Sequence, residues 1–214
     1  VNLYNFFFTN WNELVFSTLQ HLLIASVATL IACAIGIPTG IFITRRPELS
    51  KPILGFANIV QTLPSLALLG FLIPLPFIGG IGPRSAIVAL SLYSLLPVIS
   101  STHAGIKGID AAVIEAGRGM GMNDRQLLSQ VEIPLAAGVI LAGIRVAMVL
   151  SIGIATIAAL TGAGGLGTYI FRGISMLDHT LIFAGAIPSA LLALSADTIL
   201  GILQRKIQFV ARQK

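Results

Sequence analysis

The sequence predicts an all-α protein, a polytopic bundle of about five membrane-spanning helices. Hydrophobic residues make up 56% of its 214 positions, charged residues only 10%, and the mean hydropathy is +0.94. Two runs contain no Asp, Glu, Lys or Arg: 31 residues from Leu14 to Thr44 and 32 from Pro52 to Pro83. About 20 apolar residues cross the hydrocarbon core of a bilayer, so each run is long enough to cross it and still turn. Residues 1–214 read as one transmembrane domain.

The first span is expected at about 17–43. It is too long for a signal-peptide core, no basic residue precedes it, and more spans follow it. A chain beginning at Val1 is expected to have lost its initiator or been trimmed. Cys33, the lone cysteine, cannot form an internal disulfide and packs as a small apolar residue. Further spans are expected at about 53–75, 85–105, 136–160 and 180–203, with Pro38, Pro64, Pro97 and Pro188 interrupting helices at membrane depth.

Lysine and arginine set the orientation. Ten of the thirteen basic residues fall in segments 44–52, 106–135 and 204–214, including Arg45, Arg46, Lys51, Lys107, Arg205, Lys206 and Lys214. Arg84 and Arg172 lie on the other side. The positive-inside rule then puts the N-terminus outside and the C-terminus in the cytoplasm. This asymmetry explains most of the net charge of +5 without a nucleic-acid partner.

The longest loop, 106–135, therefore lies in the cytoplasm, and its local signals describe two short helices. Asp110 is a good N-cap for the first, and Gly121 is the residue type that ends a helix in the left-handed conformation. Asn123 caps the second, Gln126 completes a capping-box pattern, and Pro134 marks its end. Leu127, Leu128 and Val131 form an apolar stripe, with Asp124 and Arg125 facing elsewhere. From Asp110 to Glu132 there are four acids and two bases. A loop meant for anionic lipid would be basic, so docking to a protein is the better reading.

Glu115, Ala116, Gly121, Val131, Ile133 and Pro134 resemble the cytoplasmic-loop signature of ABC importer membrane subunits: Glu-Ala-Ala, three residues, Gly, nine residues, Ile-x-Leu-Pro. The chain departs at Gly117, where the family usually has Ala; this change loosens the first loop helix by about 1 kcal/mol. Four longer stretches (Gln61–Leu75, Ala89–Ile99, Ala155–Ile174 and Asp178–Leu194) are similar to the osmoprotectant branch. The resemblance implies a type I importer permease fold and quaternary-amine substrates such as glycine betaine, choline and carnitine. It also implies coupling helices that seat in ATPase subunits, a second membrane subunit and an external substrate-binding protein, in a bacterial or archaeal cell membrane. No cofactor is expected in this chain, because ATP and magnesium belong to the partner ATPase. A permease for another small polar solute, such as an amino acid, is the alternative.

The loop candidates for ATPase coupling are Glu115, Ala116, Gly121, Asp124, Arg125, Leu127, Leu128 and Pro134. For the translocation pathway the candidates are Gln61, Thr62, Pro64 and Ser65, since a polar pair beside a helix-breaking proline is costly against lipid and useful against water. Tyr93 and Ser94 are weaker candidates, and helix–helix packing is the competing reading for all six. Arg145 and Asp197 sit inside spans, toward the cytoplasmic half, where a structural pair or snorkelling is preferred over a role in transport.

Other patterns are weaker. Gly162 to Gly167 spells G-x-G-x-x-G but follows a span rather than a strand, so a glycine-rich turn is expected. No lysine follows a glycine, which excludes a P-loop. His21, His103 and His179 are far apart in sequence, which argues against a metal site. Ser100, Ser101 and His103 lack the surroundings of a serine protease. A secondary transporter would be expected to show inverted repeats or a coupling carboxylate near the midplane, and Asp197 is the one candidate.

Overall fold

The structure is a computed structural model and describes residues 3–212. Val1 and Lys214, used in the sequence reading, lie outside the described residues. A short helix α1 (Leu3–Thr9) leads into α2 (Trp11–Arg45), followed by α3 (Pro47–Thr62), α4 (Ser65–Leu72) and α5 (Pro83–Lys107). Two loop helices, α6 (Ala111–Gly119) and α7 (Asp124–Leu127), precede α8 (Ile133–Ala158), α9 (Gly167–Met176) and α10 (His179–Arg212).

Among the described residues, four stretches are long and apolar enough to span a membrane: Trp11–Arg45, Pro83–Lys107, Asp124–Thr161 and His179–Gln208. The span expected at 53–75 is not one straight helix, because α3 and α4 meet at a 96° bend. Pro64 is the cause. Its ring disfavours the helical conformation for the residue before it, and Leu63 is extended at ψ 138°. By contrast Pro38, Pro97 and Pro188 lie within continuous α2, α5 and α10, so the expectation that they interrupt helices is corrected. A proline inside a helix removes one hydrogen bond, and close neighbours in a membrane bundle can hold the helix through it.

Small residues let these helices approach. A Cβ added at Gly40 of α2 would lie 2.6 Å from the Thr102 side chain of α5, and one at Gly143 of α8 would lie 2.5 Å from Ser101. Between apolar surfaces in lipid, such close packing and a few hydrogen bonds replace the hydrophobic drive available in water. The bonds run across the seam of α2, α5 and α8. Ser91 donates to the Ala28 carbonyl at 3.2 Å, Ser94 and Ser151 pair at 2.9 Å, and Thr29 donates to Ser151 at 3.3 Å. Ile24, Leu69, Leu90, Tyr93 and Ala155 fill the core around them.

At one end of the bundle the last turns of α2 and α5 meet, with Thr44 Oγ1 3.0 Å from His103 Nδ1, and the loop helices follow. At the other end, Gly162–Gly167 forms the expected glycine-rich turn. Gln20 holds it by accepting from the Gly165 N–H at 3.1 Å and donating to the Ala163 carbonyl at 3.3 Å. His21 lies buried beneath, its Nε2 2.9 Å from the Ile152 carbonyl.

Candidate functional site

At the loop end the chain forms a knob of two capped helices. The Asp110 carboxylate accepts from the Ala112 N–H at 2.9 Å and starts α6. Gly121 turns the chain at φ +83°, in the left-handed region that favours glycine. Asn123 and Gln126 then close a reciprocal capping box, both bonds at 2.9 Å.

Leu127 and Leu128 of the apolar stripe face inward, which corrects their expected outward use. Leu127 is fully buried, and Leu128 packs on the cluster of Ile106, Ala136 and Ile140. Gly117 makes room for it, since a Cβ there would lie 2.7 Å from Leu127 Cδ1. The departure from alanine at position 117 is thus a close contact between the loop helices. The outer face carries Glu115, Ala116, Arg118, Asp124 and Arg125, with Val113 41% and Met120 72% exposed. Met120 is the large apolar group that the periodicity of the second helix could not point to.

Nor does the second loop helix stop at Pro134. Leu128–Glu132 is a π-helical turn, and its wide ring lets the Ile133 N–H reach the Leu128 carbonyl. Pro134 then falls in the first turn of α8, where a missing N–H costs little. Glu132, in the same turn, is buried and accepts from Arg45 Nη2 at 2.5 Å, clamping the knob's exit to the end of α2.

The pathway candidates divide. Thr62 and Pro64 are exposed and Gln61 and Ser65 half-buried at the α3–α4 break. Thr62 returns its hydroxyl to the Ile59 carbonyl at 2.7 Å. Tyr93 and Ser94 are buried inside the bundle rather than open to a pathway, which corrects their placement. The Tyr93 hydroxyl donates to the Leu63 carbonyl, satisfying a group freed by the break. Ser94 belongs to the α5–α8 seam.

Arg145 and Asp197 form a bidentate pair, Nε to Oδ1 and Nη2 to Oδ2, both at 2.5 Å. Arg145 is the thirteenth of the 26 residues of α8, near the middle of that helix.

A family model described as binding-protein-dependent transport system inner membrane component matches residues 36–209. The chain belongs to this family. As a permease subunit it is 45% identical, over 94% of its length and 91% of the relative's, to the carnitine transport permease protein OpuCB of Listeria monocytogenes. The glycine betaine/carnitine/choline transport system permease protein OpuCB of Bacillus subtilis is 43% identical over 93% and 90%. The osmoprotectant import permease protein OsmW of Salmonella typhimurium is 46% identical over 87% and 88%. The inward-facing MetNI methionine ABC transporter matches in fold, with a TM-score of 0.82 at 22% identity, covering 91% of this chain and 95% of that one.

In this permease the knob is a stiff element. Its caps are satisfied, its apolar stripe is spent on holding α7 to α6 and the bundle, and its free face is of mixed charge. The Arg45–Glu132 clamp is the feature that sequence reasoning missed. The two residues are 87 positions apart, and the only hint was an acid placed in an otherwise apolar helix start.

Proposed function

We propose that this chain is the membrane-spanning subunit of an ATP-driven importer for compatible solutes, quaternary amines of the glycine betaine, choline and carnitine kind. The observation that carries the solute class is its likeness, along nearly the whole chain, to permeases named for those three solutes. Two such subunits, identical or paralogous, enclose one pathway. Separate ATPase subunits bind ATP with magnesium, and their closure is transmitted through Glu115–Pro134 of each membrane subunit. An external substrate-binding protein delivers the solute.

The loop end faces the cytoplasm in this reading. Arg45, Arg46, Lys51, Lys107, Arg118, Arg125, Arg205 and Lys206 all belong to segments at that end, the distribution the positive-inside rule requires. The knob offers Val113, Ala116 and Met120 as an apolar patch ringed by Glu115, Arg118, Asp124 and Arg125, a surface suited to a groove on a folded protein. The Arg45–Glu132 clamp would carry its movement into α2 as well as α8.

Recognition of the solute falls mainly to the binding protein. Quaternary ammonium groups are held by clustered aromatic faces, and this chain has one Trp and three Tyr. Uptake into proteoliposomes holding the complete complex tests the reading. ATP-dependent accumulation of at least one of the three solutes is expected. Accumulation of amino acids and none of the quaternary amines would overturn it.

A further inference from the structure

The seam between α8 and α10 has two unlike sides. On one, a hollow of about 360 Å³ is lined almost entirely by apolar groups, among them Leu22, Cys33, Met148 and Leu200. On the other, a hollow of about 480 Å³ holds Arg145 and Asp197, with Ala142, Val149, Leu150 and Gln204 around them. The first side suits lipid chains. The second does not, because ionisable groups inside a span face protein or water-filled space rather than hydrocarbon. Their side chains are 32% and 39% exposed, so other protein in the chain does not cover them.

The pair is also incompletely used. Asp197 takes Nε and Nη2 of the guanidinium, and Nη1 has no hydrogen-bond partner among the described residues. Gly201 makes room for this guanidinium: a Cβ there would lie 3.0 Å from Nη1 and 3.2 Å from Cζ, so a larger residue would crowd the pair from α10. A planar guanidinium with donors to spare is the group that reads a carboxylate.

We propose that the Arg145–Asp197 hollow lines the water-filled pathway and is a transit site for small zwitterions. The solute's carboxylate accepts from the free N–H groups of Arg145, and its fixed cation lies toward Asp197. The proposal rests on the quaternary-amine reading above. A volume of about 480 Å³ falls within the range of ligand sites and exceeds what a solute of this size needs. A site open on one side and lacking aromatic rings holds its solute weakly, as passage requires.

The test compares glycine betaine and carnitine, which carry a carboxylate, with choline, which does not, in uptake by the complete complex. Arg145→Lys keeps the charge but loses the fork. It is expected to lower uptake of the two zwitterions about tenfold and of choline less than about twofold. The double variant Arg145→Met, Asp197→Leu replaces the pair with apolar groups that a purely structural pair would tolerate. It is expected to assemble with the ATPase subunits and lose zwitterion uptake. Zwitterion uptake at the wild-type level in the double variant, or an equal loss of all three solutes in Arg145→Lys, would overturn the site. If the double variant fails to assemble, the solute ratio in Arg145→Lys decides alone. A wild-type complex that takes up none of the three overturns the solute reading itself, which separates the two failures.

Discussion

Gly121 shows how much can hang on one backbone angle. At φ +83° a β-branched side chain is strongly disfavoured, while nothing lies within 4 Å of where a Cβ would stand. The obstacle to substitution is therefore conformational rather than steric crowding. Gly121→Val should insert into the membrane at normal abundance but lose most of its uptake, because the turn between α6 and α7 would open and the knob would lose its shape. Gly121→Asn, which tolerates the left-handed region, should retain more. Normal uptake by the valine variant would mean that the knob does not couple the two machines. At this scale the sequence was a good guide. Asp110, Gly121, Asn123 and Gln126 act on neighbours two to four positions away, so their roles are written in the local order of residues.

Elements were harder to read, because their shape depends on what lies across the bundle. Pro64 announces a break, but a 96° bend needs a partner for the freed Leu63 carbonyl, and Tyr93, 30 residues on from Leu63, supplies it. The inward turn of Leu127 depends on Gly117 of another helix, and no periodicity within 124–131 could reveal it. Tyr93→Phe should keep the ring in the core and leave the Leu63 carbonyl unpaired at membrane depth. A loss of about 1 kcal/mol is expected, seen as a lower melting temperature of the detergent-solubilised subunit. An unchanged melting temperature would mean that water reaches the break and replaces the hydroxyl. Spans were legible in number and approximate place because hydropathy is a property of the segment. Their continuity through Pro38, Pro97 and Pro188 was not, since it depends on packing against neighbours.

For the whole molecule, the charge count and the bundle's geometry point the same way. The two ends differ in basic residues, and the loop helices stand at the richer end. In a variant with Cys33 replaced, a reporter cysteine at Asn10 should react with an impermeant reagent outside intact cells, and one at Ser129 should not. The reverse labelling would sink the orientation and the coupling role of the loop together. The π-helical turn at Leu128–Glu132 bears on the same machine differently. It joins α7 of the knob to α8 within one helical stretch running from Asp124 to Thr161, about 55 Å long at 1.5 Å per residue. A π turn holds one residue more than the α turn it replaces, and each residue of an α-helix advances the azimuth by about 100°. The extra residue therefore acts as a phase setting: without it, the face now offered by Glu115 and Met120 would point about a quarter-turn away from its present direction on the same axle.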